Sequence, residues 1–231
     1  MKSYFPLAQI LLLAVVFANC ASNQGHTKNG GHNQINAGAH LAQIESIDAD
    51  LRSTNLSDET KDKLILRKGK LLLDLGKYDQ SISVLESANR SKMNPVLLSE
   101  WNLTMGKAYV GKNEYAKAIP YLNQSEKLDK THNPVERKKL VVQSLVAEKE
   151  YYPALATLTK TYTKGNQKKD EFYYETAATT YLKMGFEYKN TGFYQRSLQV
   201  ANLGLEEFPN NETLRSVQKE CLEVLQPEGK L

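Results

Sequence analysis

Residues 181–209 read YLKMGFEYKNTGFYQRSLQVANLGLEEFP. Tyr181, Met184, Tyr188, Tyr194 and Leu198 fall about one helical turn apart, and Gly185, Gly192, Ser197, Ala201 and Gly204 break the series at set places. A period near ~3.6 residues makes this two amphipathic helices joined at Asn190-Thr191-Gly192. Helix axes approach to ~8 Å only where no bulky side chain stands between them, so Gly185 and Ser197 are the expected contact.

The pattern recurs upstream. Ile65, Gly69 and Leu72 precede the turn Gly76-Lys77-Tyr78, and Ser81, Leu85 and Ala88 follow it. Trp101, Met105, Gly106 and Tyr109 lead through Asn113-Glu114-Tyr115 to Ala118, Leu122 and Ser125, with Pro120 expected to bend the second helix. Asn133-Pro134-Val135-Glu136 has the composition of a capping box, ahead of Val141, Val142, Leu145, Tyr151, Ala154, Leu158 and Thr161. The tyrosines Tyr78, Tyr115, Tyr151 and Tyr194 are spaced 37, 36 and 43 residues apart. The final surplus falls in the polar segment 163–170 and in Glu171 to Thr176, where Phe172, Tyr173 and Tyr174 are expected to pack against the preceding unit.

This spacing resembles the tetratricopeptide repeat. The resemblance implies an all-α, right-handed α-solenoid of about four helix pairs, at roughly 62–95, 99–132, 135–168 and 178–211, within a domain spanning 57–226. Ser57 is the expected N-cap of the first paired helix. Apolar ends of a stacked array need covers, assigned to an N-terminal helix within 39–56 (Leu41, Ile44, Ile47, Leu51) and a C-terminal one at 211–226 (Leu214, Val217, Cys221, Leu225). Residues 20–38, rich in Asn, Gln, Gly and His, are the expected flexible tether, and 227–231 a frayed tail.

Met1-Lys2 followed by the apolar run Ile10 to Ala18 reads as a signal peptide over 1–19, too short to span a bilayer permanently. Cys20 at its end resembles the lipobox cysteine of bacterial lipoproteins, although Phe17 and Asn19 depart from that pattern. The resemblance implies lipidation at Cys20 and, with Ala21 following, an outer-membrane address facing the periplasm or the cell surface. Cleavage after Ala18, releasing a soluble protein, is the alternative. With Cys20 acylated, Cys221 has no disulfide partner and reads as a buried apolar filler.

The formal net charge is +4, with acidic and basic residues interspersed, which argues against a nucleic-acid partner. His-Glu-x-x-His, Gly-x-Ser-x-Gly, phosphate-loop and Cys-x-x-Cys patterns are all missing, so the expectation is no enzyme, no cofactor and no metal site. His26, His32 and His40 read as spacer. In the tetratricopeptide family the first helices line a concave groove for a protein or peptide. By repeat position this groove would carry Lys63, Leu66, Lys70, Leu73, Leu103, Lys107, Val110, Lys139, Gln143, Val146, Leu182, Phe186 and Lys189. Such a wall suits a peptide with apolar anchors and some negative charge. The functional expectation is a scaffold or adaptor lipoprotein mediating protein–protein interactions in the cell envelope. The alternatives are a surface-exposed or secreted ligand-binding lipoprotein, or an accessory subunit of an envelope enzyme.

Overall fold

The computed structural model describes residues 30–131, 133–163 and 168–226, with side chains from Ala37 onward. The expected leader with Cys20 and Ala21, the tether as far as residue 29 with His26, the side chain of His32, residue His132, the loop centre 164–167 and the tail 227–231 lie outside those residues.

Two compact units divide the chain at 46/47. Among the described residues there are ten α-helices: α1 Gly30–Leu51, α2 Asp58–Asp74, α3 Tyr78–Glu86, α4 Pro95–Gly111, α5 Tyr115–Leu128, α6 Pro134–Ala147, α7 Tyr151–Thr163, α8 Glu171–Tyr188, α9 Thr191–Glu207 and α10 Glu212–Leu225. The helices from α2 onward, all in the second unit, pack as α2/α3, α4/α5, α6/α7 and α8/α9, with α10 closing the series against α9. The α1 helix starts at Gly30, inside the segment expected to be irregular. Extending an existing helix costs far less than starting one, so weak helix formers upstream of an apolar segment can join its ladder. Within the second unit, Leu51 packs on the first core and Asp48 pairs with Lys68 of α2, so the last turn of α1 covers the first pair.

The helix ends follow local chemistry. Ser57 accepts from the Thr60 amide at 3.2 Å and Asn94 from the Leu97 amide at 2.9 Å, each satisfying an amide that the helix leaves open. Pro95 fits the first turn of α4, where its missing N–H is harmless. Asn133 does not act as the expected capping-box residue. Its φ of 45° is left-handed, its side chain makes no cap bond, and Glu136 pairs instead with Lys107. The α5 helix runs on across Pro120, which is exposed.

Each intra-pair turn contains one left-handed residue: Gly76 (φ 70°), Asn113 (60°), Lys149 (63°) and Lys189 (49°). The fourth turn is therefore Lys189-Asn190, not Asn190-Thr191-Gly192. Asn190 accepts from the Gly192 amide at 2.8 Å and caps α9, which draws Thr191 and Gly192 into the helix. The Gly185–Ser197 contact is displaced as well. A Cβ on Gly185 would stand 2.8 Å from the Tyr194 ring, and Ser197 donates to the Ala178 carbonyl at 2.7 Å.

The core is a chain of clusters. Ile65, Leu85, Trp101 and Met105 join the first two pairs, and Leu103, Ala118, Leu122 and Val141 link the second to the third. Val142, Ala154, Leu158 and Ala177 continue it. Ala178, Tyr194 and Ala201 meet Leu214, Val217 and Cys221 of α10 at the end. Burial raises the pKa of the Cys221 thiol, partly offset by its bond with Ser197. Phe172 and Tyr173 pack on the third cluster and Tyr174 on the last.

Candidate binding surface

The residues assigned from sequence to one wall separate into four groups. Leu66, Leu103 and Leu182 are 3 %, 3 % and 6 % exposed and belong to the core. They present little surface to solvent. Leu73, Val110 and Val146 are half-buried against that core. Lys63, Gln143, Phe186 and Lys189 are exposed, but Lys189 is the left-handed residue of the fourth turn.

The remaining three lysines each reach forward to the next first helix. Lys70 pairs with Glu100, Lys107 with Glu136 at 2.7 Å, and Lys139 with Asp170 at 2.6 Å. Glu100 lies early in α4, Glu136 in the first turn of α6, and Asp170 is the N-cap of α8. Carboxylates at helix N-termini face the positive end of the helix dipole, so Glu136 and Asp170 each have two reasons to be there. Asp170 accepts most: from the Tyr162 hydroxyl at 2.5 Å, the Tyr173 amide at 3.1 Å and Lys139. Burial pushes its pKa up, but those three donors outweigh burial and hold it below the usual value. Burial likewise raises the Tyr162 phenol, and the bond to Asp170 raises it further. The sequence placed these lysines on a common stripe and did not identify their acidic partners.

Between α2 and the start of α4 lies a cleft of ≈ 600 Å³ lined by Lys63, Leu66, Arg67, Lys70, Asn94, Pro95, Val96, Leu97 and Glu100. Its lining is mostly apolar, and Val96 at the rim is 61 % exposed. Val96 escaped the sequence reading because it directly follows the Pro95 that starts the helix, away from the periodic apolar positions. A second feature lies at the turns of the last two pairs. Tyr152 and Tyr188 are 61 % and 47 % exposed, with ring centroids 6.4 Å apart and nearly parallel planes. Phe186 is 53 % exposed and stands edge-on to Tyr194.

Among the described residues, no three His, Cys, Asp or Glu side chains converge to hold a metal ion. Among the same residues, no helix is long and apolar enough to cross a membrane.

The family model described as "Tetratricopeptide repeat" matches residues 63–92 and 102–132, which cover most of the first two helix pairs. A search of curated proteins returns no match. Two solved structures are similar along most of the chain. A tetratricopeptide repeat protein from Parabacteroides merdae is 15 % identical, with a TM-score of 0.66, over 84 % of this chain and 70 % of that one. A thermophilic TPR protein of Thermus thermophilus is also 15 % identical, with a TM-score of 0.51, over 84 % of this chain and 95 % of that one. At such identity the likeness is one of fold alone. Two repeats matched by the family model, four left-handed turns in series and stacked helix pairs together give this chain a tetratricopeptide-like repeat fold.

Proposed function

We propose that the chain is a non-enzymatic adaptor of the bacterial cell envelope, anchored through a lipid on Cys20 and holding protein partners on its first-helix face. The cleft between α2 and α4 carries the binding part of this reading. It joins an exposed apolar rim at Val96 to a row of cations, a surface that fits a peptide with one apolar anchor and flanking acids. Lys70 is already paired with Glu100, so an incoming carboxylate must compete there, whereas exposed Lys63 holds only Glu59 of its own helix. Affinity capture from detergent-solubilised envelopes tests this. Val96→Asp and Lys63→Glu, both at exposed positions, should each lose a partner retained by the parent chain. Retention by both variants removes the cleft from the proposal.

The anchor rests on the sequence around Cys20. Labelled palmitate should enter the parent chain and not Cys20→Ala; label in neither leaves a secreted protein. The exposed rings of Tyr152, Tyr188 and Phe186 favour a second reading, a surface lipoprotein that binds external ligands. Cleavage by protease added to intact cells selects that reading. Protection until the outer membrane is opened selects the periplasmic adaptor.

A further inference from the structure

Arg137 is the fourth residue of α6 and is completely buried. Its Nη1 donates to the Ser125 hydroxyl at 3.2 Å, and that hydroxyl lies 3.1 Å from Ser99 Oγ, whose own proton is committed to the Ser125 carbonyl at 2.9 Å. Its Nε and Nη2 have no hydrogen-bond partner among the described residues. Those two donors are neighbours on one edge of the planar guanidinium, the edge that takes two oxygens of a single oxyanion side by side. A buried charge with a whole edge unbonded is among the costliest arrangements a fold can hold. Glu126 and Asp129 attract its charge through space, and Glu126 pairs with Lys138 at 3.8 Å.

The surroundings favour an anion. Side chains on a helix lean toward its N-terminus, so the guanidinium lies toward the first turn of α6. There the acid of that turn, Glu136, is neutralised by Lys107, so the positive end of the helix dipole remains available to an anion. We propose that Arg137 and the first turn of α6 form a binding site for a small oxyanion, with inorganic phosphate as the probe, at the junction of the second and third helix pairs. The site is independent of the α2/α4 cleft and of any partner bound there. Internal water satisfies the same donors but confers no dependence on anion.

The full chain in sodium phosphate, compared with sodium chloride at equal ionic strength and pH 7, provides the test. A ligand that binds only the folded state raises Tm by mass action, here by roughly 5 °C or more at a hundredfold excess over Kd. The phosphorus resonance should broaden in the presence of the parent chain. Arg137→Met fills the same space without charge and should lose both effects, while Ser125→Ala, which leaves the open edge untouched, should keep them. Equal Tm in the two salts with an unbroadened resonance overturns the proposal, as does an undiminished phosphate response in Arg137→Met. Should Arg137→Met fail to fold, the parent titration together with Ser125→Ala decides.

Discussion

The first two helix pairs and the fourth achieve the same close approach with different residues. Seven positions before the left-handed turn residue stand Gly69 and Gly106, and five after it stand Ser81 and Ala118. A Cβ on Gly69 would lie 2.7 Å from Leu85, and on Gly106 2.6 Å from Leu122, so each glycine makes room for a leucine of the second helix. Counted from Lys189, the corresponding places hold Leu182 and Tyr194, both large, and the glycine has moved three residues on to Gly185, where the Tyr194 ring fills the space. Helix pairs of this kind need a small residue opposite a large one. They do not need it at a fixed address.

The largest effect should come from emptying that space. Tyr194 is 7 % exposed between Gly185, Leu182 and Ala201, so Tyr194→Ala should cost about 3–5 kcal/mol, read as a lower urea midpoint. A loss under about 1 kcal/mol means the ring is not structural. Next comes a double-mutant cycle. Gly185→Ala in the parent chain forces a methyl against the ring and should cost about 1 kcal/mol. In the Tyr194→Ala background the same change should gain up to ~1 kcal/mol from helix propensity. Equal effects in both backgrounds break the comparison. Gly106→Ala should be net destabilising by about 1–2 kcal/mol despite that propensity gain, because Leu122 is fully buried and has nowhere to move.

Much of the fold was legible because it is written in local chemistry. The cap Ser57 and the first two turns, at Gly76 and Asn113, lie where their residue types put them. The fourth turn misled because Gly192 reads as a breaker, whereas the Asn190 side chain makes it part of the helix. Asn133 misled for the opposite reason: its type suits an N-cap, but capping also needs an extended backbone, and a left-handed φ is not written in residue type. The wall on the first helices was the least legible part. Trp101 to Gly106 are all buried, so α4 has no solvent face along that stretch for periodicity to reveal, and Leu103 looked available when it is core. The acidic partners of Lys70 and Lys139 lie 30 and 31 residues downstream, a relation that stacking creates and sequence proximity hides.

That row of ion pairs repeats the comparison in charge. Lys70–Glu100 and Lys107–Glu136 occupy the same register, with the lysine six residues and the acid thirteen before their turns, whereas the third pair is displaced to Lys139–Asp170. The displacement joins the lysine to an N-cap that also takes the Tyr162 hydroxyl and the Tyr173 amide, so the third link should matter more than a half-exposed pair worth up to ~1 kcal/mol at best. Asp170→Asn keeps an acceptor for the cap and the phenol but removes the charge that Lys139 holds, and should cost about 1 kcal/mol at pH 7. The folded-state pKa of Asp170 is depressed, so the carboxylate's contribution is full above its unfolded value and lost as pH falls through the folded one. The difference in urea midpoint between the parent chain and Asp170→Asn should therefore hold from about pH 5 to 8 and shrink below about pH 4. Lys107→Met should change the midpoint less than Asp170→Asn at pH 7. If the two losses are equal, the shift of register carries no energetic weight, and the third link is one more surface pair.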